Sequence, residues 1–128
     1  MVLDSSAIVA IELQEPGFQG LVARIGEAET VAIGAPTVFE TAMVLTGRRV
    51  RDARPWLSGF LESIDAEVVP FTQEHMNVAM QVFLRFGKGR HPAALNFGDC
   101  MSYAVAKVAG MPLLYVGNDF SQTDITPA

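Results

Sequence analysis

Thr30-Val-Ala-Ile-Gly-Ala-Pro-Thr-Val-Phe-Glu40 holds a short apolar run, rich in β-branched residues, that gives way almost at once to a helix start. Thr30 to Gly34 has the length and composition of a buried strand. Pro36-Thr37 suits the first turn of a helix that continues to about Arg48. The same alternation recurs on both sides of this stretch. Upstream, Val2-Leu3-Asp4 predicts a very short strand, then a helix start at Ser5-Ser6 and an apolar helix over Ala7 to Leu13. Pro16-Gly17 breaks that helix, and a second runs from about Phe18 to Glu27. Downstream, Pro55 reopens a helix carrying Trp56, Phe60 and Ile64, and Glu67 to Phe71 is a third strand. Thr72 to Phe86 is amphipathic, with Met76, Val78, Ala79, Val82, Phe83 and Phe86 expected to face inward. The loop Gly87-Lys88-Gly89-Arg90-His91-Pro92 leads to a helix from about Phe97 to Ala109 and a strand over Leu113 to Val116. A last short strand is expected near Thr123 to Thr126. Strands alternating with helices predict an α/β fold, a parallel sheet covered on both faces, in one domain spanning residues 1–128.

The chain has 128 residues, 50% of them hydrophobic, which suffices for a core without metal or disulfide staples. Its single cysteine, Cys100, lies on an apolar helical stripe and reads as a small buried hydrophobe. No run approaches the ~20 apolar residues of a membrane span. The apolar N-terminus carries Asp4 and Glu12 with no basic leader, so a soluble, cytoplasmic protein is expected. A formal charge of −5 argues against nonspecific coating of nucleic acid. It leaves room for an enzyme that touches nucleic acid through local basic patches around an acidic centre.

In a parallel sheet, ligands sit beyond the carboxyl ends of the strands. Asp4 closes the first strand and Asp119 follows the fourth. The crossover helices run antiparallel to the strands, so the starts of those bearing Glu40 and Asp99 return to the same edge. Four distant carboxylates thus converge by topology. Each also has an ordinary structural explanation. Asp4 could cap the first helix, Glu40 could form a capping box with Thr37, Asp99 could do so with Asn96, and Gly117-Asn118-Asp119 could be a turn. Jointly these explanations weaken, because Glu40 and Asp99 lie among apolar residues and no lysine or arginine is a close sequence neighbour of any of the four. Ionised carboxylates so placed need a positive charge, and a hydrated Mg²⁺ or Mn²⁺ supplies one.

Other chemistries find less support. His75 is expected on an exposed helical face and His91 in a loop, and neither has a Ser or Cys nucleophile partner. Gly87-Lys88-Gly89 is too short for a P-loop and follows a helix. A phosphoacceptor receiver domain would need an aspartate ending the third strand, where Val68-Val69-Pro70-Phe71 offers none.

Val2-Leu-Asp-Ser-Ser-Ala-Ile8, Pro36-Thr-Val-Phe-Glu40, Arg90-His-Pro-Ala-Ala-Leu-Asn-Phe-Gly-Asp-Cys-Met-Ser-Tyr-Ala104 and Leu113-Leu-Tyr-Val-Gly-Asn-Asp-Phe-Ser-Gln-Thr-Asp-Ile125 form one ordered series. Together they resemble a PIN-domain ribonuclease toxin of the VapC type, over the whole chain. The resemblance implies a three-layer α/β/α sandwich with a mostly parallel central sheet, and Mg²⁺- or Mn²⁺-dependent endoribonuclease activity leaving a 5′-phosphate and a 3′-hydroxyl. It also implies a VapB-type antitoxin that forms a hetero-oligomer with the toxin, and a homodimer. The family's acidic positions fall on Asp4, Glu40, Asp99 and Asp119, with Asp4, Asp99 and Asp119 as metal ligands and Glu40 handling the attacking water. Many relatives carry an acid where Asn118 stands, which leaves one or two metals open. Asp124, or the Ser121 and Thr123 hydroxyls, could assist through water.

Lys88, Arg90 and His91 are candidates for gripping an RNA backbone, with a solvated loop as the alternative. For Arg48, Arg49, Arg51 and Arg54 a solvated helix end is favoured. Trp56 and Phe60, one helical turn apart, pack in the core or anchor an antitoxin helix. A catalytically silent PIN-like binding module is the rival to the nuclease.

Overall fold

The computed structural model describes residues 1–48 and 52–128. In chain order the elements are β1 (Val2–Leu3), α1 (Ser5–Glu12), α2 (Phe18–Glu27), β2 (Ala32–Gly34), α3 (Ala35–Arg48), α4 (Arg54–Ser63), β3 (Glu67–Val69), α5 (Gln73–Phe86), α6 (Phe97–Ala109) and β4 (Leu113–Leu114), with a 3₁₀ turn at Phe120–Gln122. The four strands form one sheet in the order β3-β2-β1-β4, and every pairing is parallel. The register sets Val2 beside Ala32 and Leu113.

Successive strand residues point to opposite faces, and both faces are covered. Val2, Ala32 and Leu113 join a core with Val82, Phe86, Tyr103 and Val105 of α5 and α6. Leu3, Ile33 and Leu114 join a second core with Ala7, Ile25 and Leu57 of α1, α2 and α4. This is the three-layer α/β/α sandwich. Val2, Leu3, Ile33 and Leu113 are fully buried, each contributing about 1.5–3 kcal/mol of burial free energy. A strand of two residues is held because each of its side chains serves a different core.

Several expectations are corrected. The strands are shorter than their apolar runs, and near the C-terminus there is a single parallel bridge, Leu113 to Pro127, in place of a strand. His75 is buried, not exposed: its Nδ1 accepts from the Thr72 N–H at 3.1 Å and the ring stacks on Phe71. Met76 and Phe83 face outward beside Met80 and Leu84. The inner face of α5 is made by His75, Val78, Ala79, Val82 and Phe86, so the helix carries two apolar stripes about 100° apart. Arg49 and Arg51 lie outside the described residues. Arg48 pairs with Glu15 at 3.6 Å and Arg54 with Asp52 at 2.7 Å, so these two do not form a free basic patch.

Candidate active site

All four strands end at one edge of the sheet, and the candidate acids gather there. Asp4 directly follows β1 and is 3% exposed. It caps α1: its Oδ2 accepts from the Ser6 N–H at 3.0 Å and from the Ser6 hydroxyl at 2.6 Å. Its Oδ1 is buried and has no hydrogen-bond partner. Asp99 sits in the first turn of α6 in a reciprocal capping box. Its Oδ2 accepts from the Asn96 N–H at 2.8 Å, and the Asn96 side-chain oxygen accepts from the Asp99 N–H at 2.9 Å.

Glu40 lies on α3 but not in the capping box that was its ordinary alternative. The strand β2 passes into α3 without an intervening residue, so Thr37 is already inside the helix. Its hydroxyl instead meets that of Ser102 at 3.2 Å, a buried polar tie between α3 and α6. The Glu40 carboxylate lies near the Ser5 side chain, which opposes its upward shift, and against Gly98. A Cβ at position 98 would stand 2.6 Å from Glu40 Oε2, so only glycine leaves the carboxylate that place. Asp119 is exposed, after a turn in which Gly117 adopts φ +104°, a conformation that side-chain-bearing residues rarely take.

The acids feel one another. Burial first, then the charges of Asp4, Asp119 and Glu40, push the Asp99 carboxyl up to about 6, against a pull downward from its Asn96 hydrogen bond. Burial and Asp4 also raise Glu40, with the Ser5 hydrogen bond opposing. Among the described residues, none of the four forms an ion pair with lysine or arginine.

A buried carboxylate oxygen without a partner, beside two carboxyls that resist ionisation, offers oxygen donors of the kind a hard divalent cation takes. Among the described residues, no three such side chains are drawn together as a ready-made metal cage. Asp124 is not part of this acidic cup. Its carboxylate accepts from the Tyr103 hydroxyl at 2.5 Å and pairs with Arg85 at 3.1 Å and Lys107 at 3.6 Å, pinning the C-terminal segment to α5 and α6. The Ser121 and Thr123 hydroxyls bond to the Asn118 and Phe120 carbonyls.

Of the basic loop, Lys88 and Arg90 are exposed, with the Arg90 guanidinium 5.5 Å from the Phe83 ring centre. His91 is half-buried: its Nδ1 accepts from the Ala93 N–H at 3.1 Å and its ring meets the edge of Phe86. Trp56 and Phe60 stack at 5.2 Å, half-buried against the second core. Phe60 also lines a cleft of about 680 Å³ with Val22, Ile25 and Ile64. That cleft opens beside the starts of β2 and β3, at the sheet edge opposite the acids. Sequence reasoning missed the work of Ser5, Ser6 and Gly98. Ser5-Ser6 reads as a helix start, and a glycine beside Asp99 carries no local signal of its contact with Glu40.

A family profile described as PIN domain matches residues 1–125. The chain is 45% identical to "Ribonuclease VapC36" of Mycobacterium tuberculosis, over 98% of this chain and 91% of that one. It is 38% identical to "VapC ribonuclease R02377" of Rhizobium meliloti, over 96% and 97% of the two chains. Among solved structures, Mycobacterium tuberculosis VapC20, described as a sarcin–ricin-loop-cleaving toxin, superposes with a TM-score of 0.79 at 17% identity, covering 99% of this chain and 97% of that one. A toxin–antitoxin complex from Klebsiella pneumoniae gives 0.69 at 14% identity, over 99% and 97%.

The raised Asp99 carboxyl has a consequence for stability. Folded, it keeps its proton up to about pH 6; unfolded, it releases it near its ordinary value of 3.8. The folded state binds more protons in that interval, so stability falls as pH rises through it, and Glu40 acts in the same direction. The lowered carboxyls of Asp52 and Asp124 titrate below this window. In a chelator, the melting temperature at about pH 6.5 should lie below that at about pH 5, and Asp99→Asn should flatten the difference. Thermal melts by circular dichroism check this; a melting temperature that climbs across the window would contradict the assignment.

Proposed function

We propose a function from one premise: the chain belongs to the PIN-domain family, in its VapC ribonuclease branch. It is the toxin of a toxin–antitoxin module and a ribonuclease, acting through the acidic cup as one domain of residues 1–128. The observation that carries this reading is the buried, partnerless Oδ1 of Asp4 beside the raised carboxyls of Asp99 and Glu40. Asp4, Asp99 and Asp119 would hold a divalent cation, Mg²⁺ with Mn²⁺ as substitute. When bound, it would lower the pKa of water and offset charge building on the scissile phosphate.

The chain's own groups do the rest. Ser6 and Asn96 each occupy one oxygen of their aspartate, which leaves the other oxygen to face the ligand. Glu40, whose carboxyl is raised and therefore more basic than an ordinary glutamate, takes the proton of the attacking water. The P–O3′ bond breaks, and the departing 3′-oxygen takes a proton from solvent water, leaving a 5′-phosphate on one fragment and a 3′-hydroxyl on the other. The N-terminal turns of α3 and α6 direct their positive dipole ends at the same place, which favours a phosphate. Lys88 and Arg90 contact the RNA backbone at the approach to α6, with His91 holding the loop in shape and offering its remaining ring nitrogen.

VapC toxins pair with antitoxins, and we place an anchor of the VapB-type partner at the half-buried Trp56–Phe60 stack and the cleft beside it. A homodimer forms on another face. Met76, Ala79, Met80, Phe83, Phe97 and Met101 line an apolar cleft of about 700 Å³ between α5 and the start of α6, with no charged residue in it. Phe97 is 82% exposed and Phe39 on α3 is 68% exposed, an apolar surface that a second copy would cover. Among the described residues no helix is long and apolar enough to cross a membrane. The module works in the cytoplasm, where its RNA is.

Asp99→Asn should fold and lose cleavage by more than about a hundredfold, measured on RNA with Mg²⁺ or Mn²⁺ against a chelator control. Cleavage retained by that variant would contradict the mechanism, and no cleavage by the wild type would favour the silent binding module. Replacing Lys88 and Arg90 by alanine should reduce the salt slope of RNA affinity by about 0.7 for each phosphate no longer neutralised. An unaltered slope would remove both from the RNA site. Met80→Glu should shift the chain from dimer to monomer in light scattering, with its melting cooperativity preserved.

A further inference from the structure

Ser6 does more than a helix start requires. Its backbone N–H already supplies the cap bond to Asp4 Oδ2 at 3.0 Å. The hydroxyl adds two further bonds: it lies 2.6 Å from the same Oδ2, and 3.0 Å from the backbone nitrogen of Val116. Their direction follows from the partners. A backbone N–H can only donate, so the Val116 N–H gives its hydrogen to the Ser6 oxygen. An ionised carboxylate can only accept, so the single hydroxyl proton goes to Asp4. Both donors from Ser6 fall on Oδ2, and Oδ1 is left buried with none. Val116 lies just past β4 and three residues before Asp119, so this one hydroxyl links the ends of two neighbouring strands.

Resting on the nuclease reading above, we infer that Ser6 is a positioning residue of the active site. Its hydroxyl fixes the Asp4 carboxylate with Oδ1 as the oxygen left for a cation, and it ties that carboxylate to the β4 exit that carries Asp119. The side chain touches neither the RNA nor the reacting atoms. Its effect appears in how well the cup holds a cation, because a carboxylate free to rotate must be ordered when the ion binds.

The test is Mn²⁺ binding by isothermal titration calorimetry on the full chain, with Ser6→Ala, Ser6→Thr and wild type compared. Ser6→Ala keeps the N–H cap and loses both hydroxyl bonds. It should bind Mn²⁺ about tenfold or more weakly, with the KM for RNA unchanged at matched metal saturation. The amide hydrogen of Val116 should exchange faster in Ser6→Ala, as followed by NMR. Ser6→Thr restores the hydroxyl and should recover both affinity and protection. Ser6→Cys fills the same space with a weak donor and carries the Ser6→Ala expectation should the alanine variant fail to fold. Wild-type affinity in Ser6→Ala or Ser6→Cys overturns the inference, as does a Ser6→Thr variant as weak as alanine, since the hydroxyl would then not be what matters. Either result leaves the nuclease reading standing if the wild type binds Mn²⁺ and cleaves RNA. A wild type that does neither overturns that reading, and this inference with it.

Discussion

Like charges held close together and partly out of water set the terms for this molecule. Asp4, Glu40 and Asp99 are brought to one sheet edge and half or fully buried there, with Asp119 near enough to add to the repulsion. No arginine or lysine among the described residues relieves it. The parallel sheet makes the crowding unavoidable, because it ends every strand, and begins the helices α3 and α6, on the same side. A cation is the simplest relief, and a hydrated cation facing a phosphate is the simplest use.

Capping a helix and holding a cation would not compete at Asp4 and Asp99. Asp4 caps α1 through Oδ2 and keeps Oδ1; Asp99 closes a capping box through Oδ2 and keeps its other oxygen. The cap holds each carboxylate in one orientation, which is what a metal ligand also needs. Beneath them the Thr37–Ser102 contact ties α3 to α6, and Gly98 leaves room for Glu40. Side chains that look like ordinary helix punctuation thus set the position of the acids.

The surfaces around the cup divide by chemistry. The apolar cleft between α5 and α6 reaches Phe97, two residues from Asp99, so a second copy seated there would border the acidic centre. The Phe60 cleft lies at the other end of the sheet. An antitoxin anchored there would have to extend along the molecule to cover the acids, which fits a partner that wraps better than one that plugs.

The alternation of short apolar strands with helices was enough to predict the parallel α/β sandwich, since buried strands need apolar runs and crossover helices fix direction. The convergence of Asp4, Glu40, Asp99 and Asp119 followed from that topology, and the ordered motifs carried the family. Local pattern could not say which of two apolar stripes on α5 turns inward, so the helix read alone puts Met76 and Phe83 inside and His75 outside. That choice depends on what α6 presents, which no window of α5 contains. Nor could sequence distance reveal that a serine at position 6 would meet the backbone at 116, or that Glu40 would rest on Gly98. Periodicity and composition act along the chain and so determined the elements and their order. Hydrogen bonds and steric gaps act across space, and only the packed structure decided that Oδ2 of Asp4 and of Asp99 is occupied while Oδ1 of Asp4 is left buried and bare.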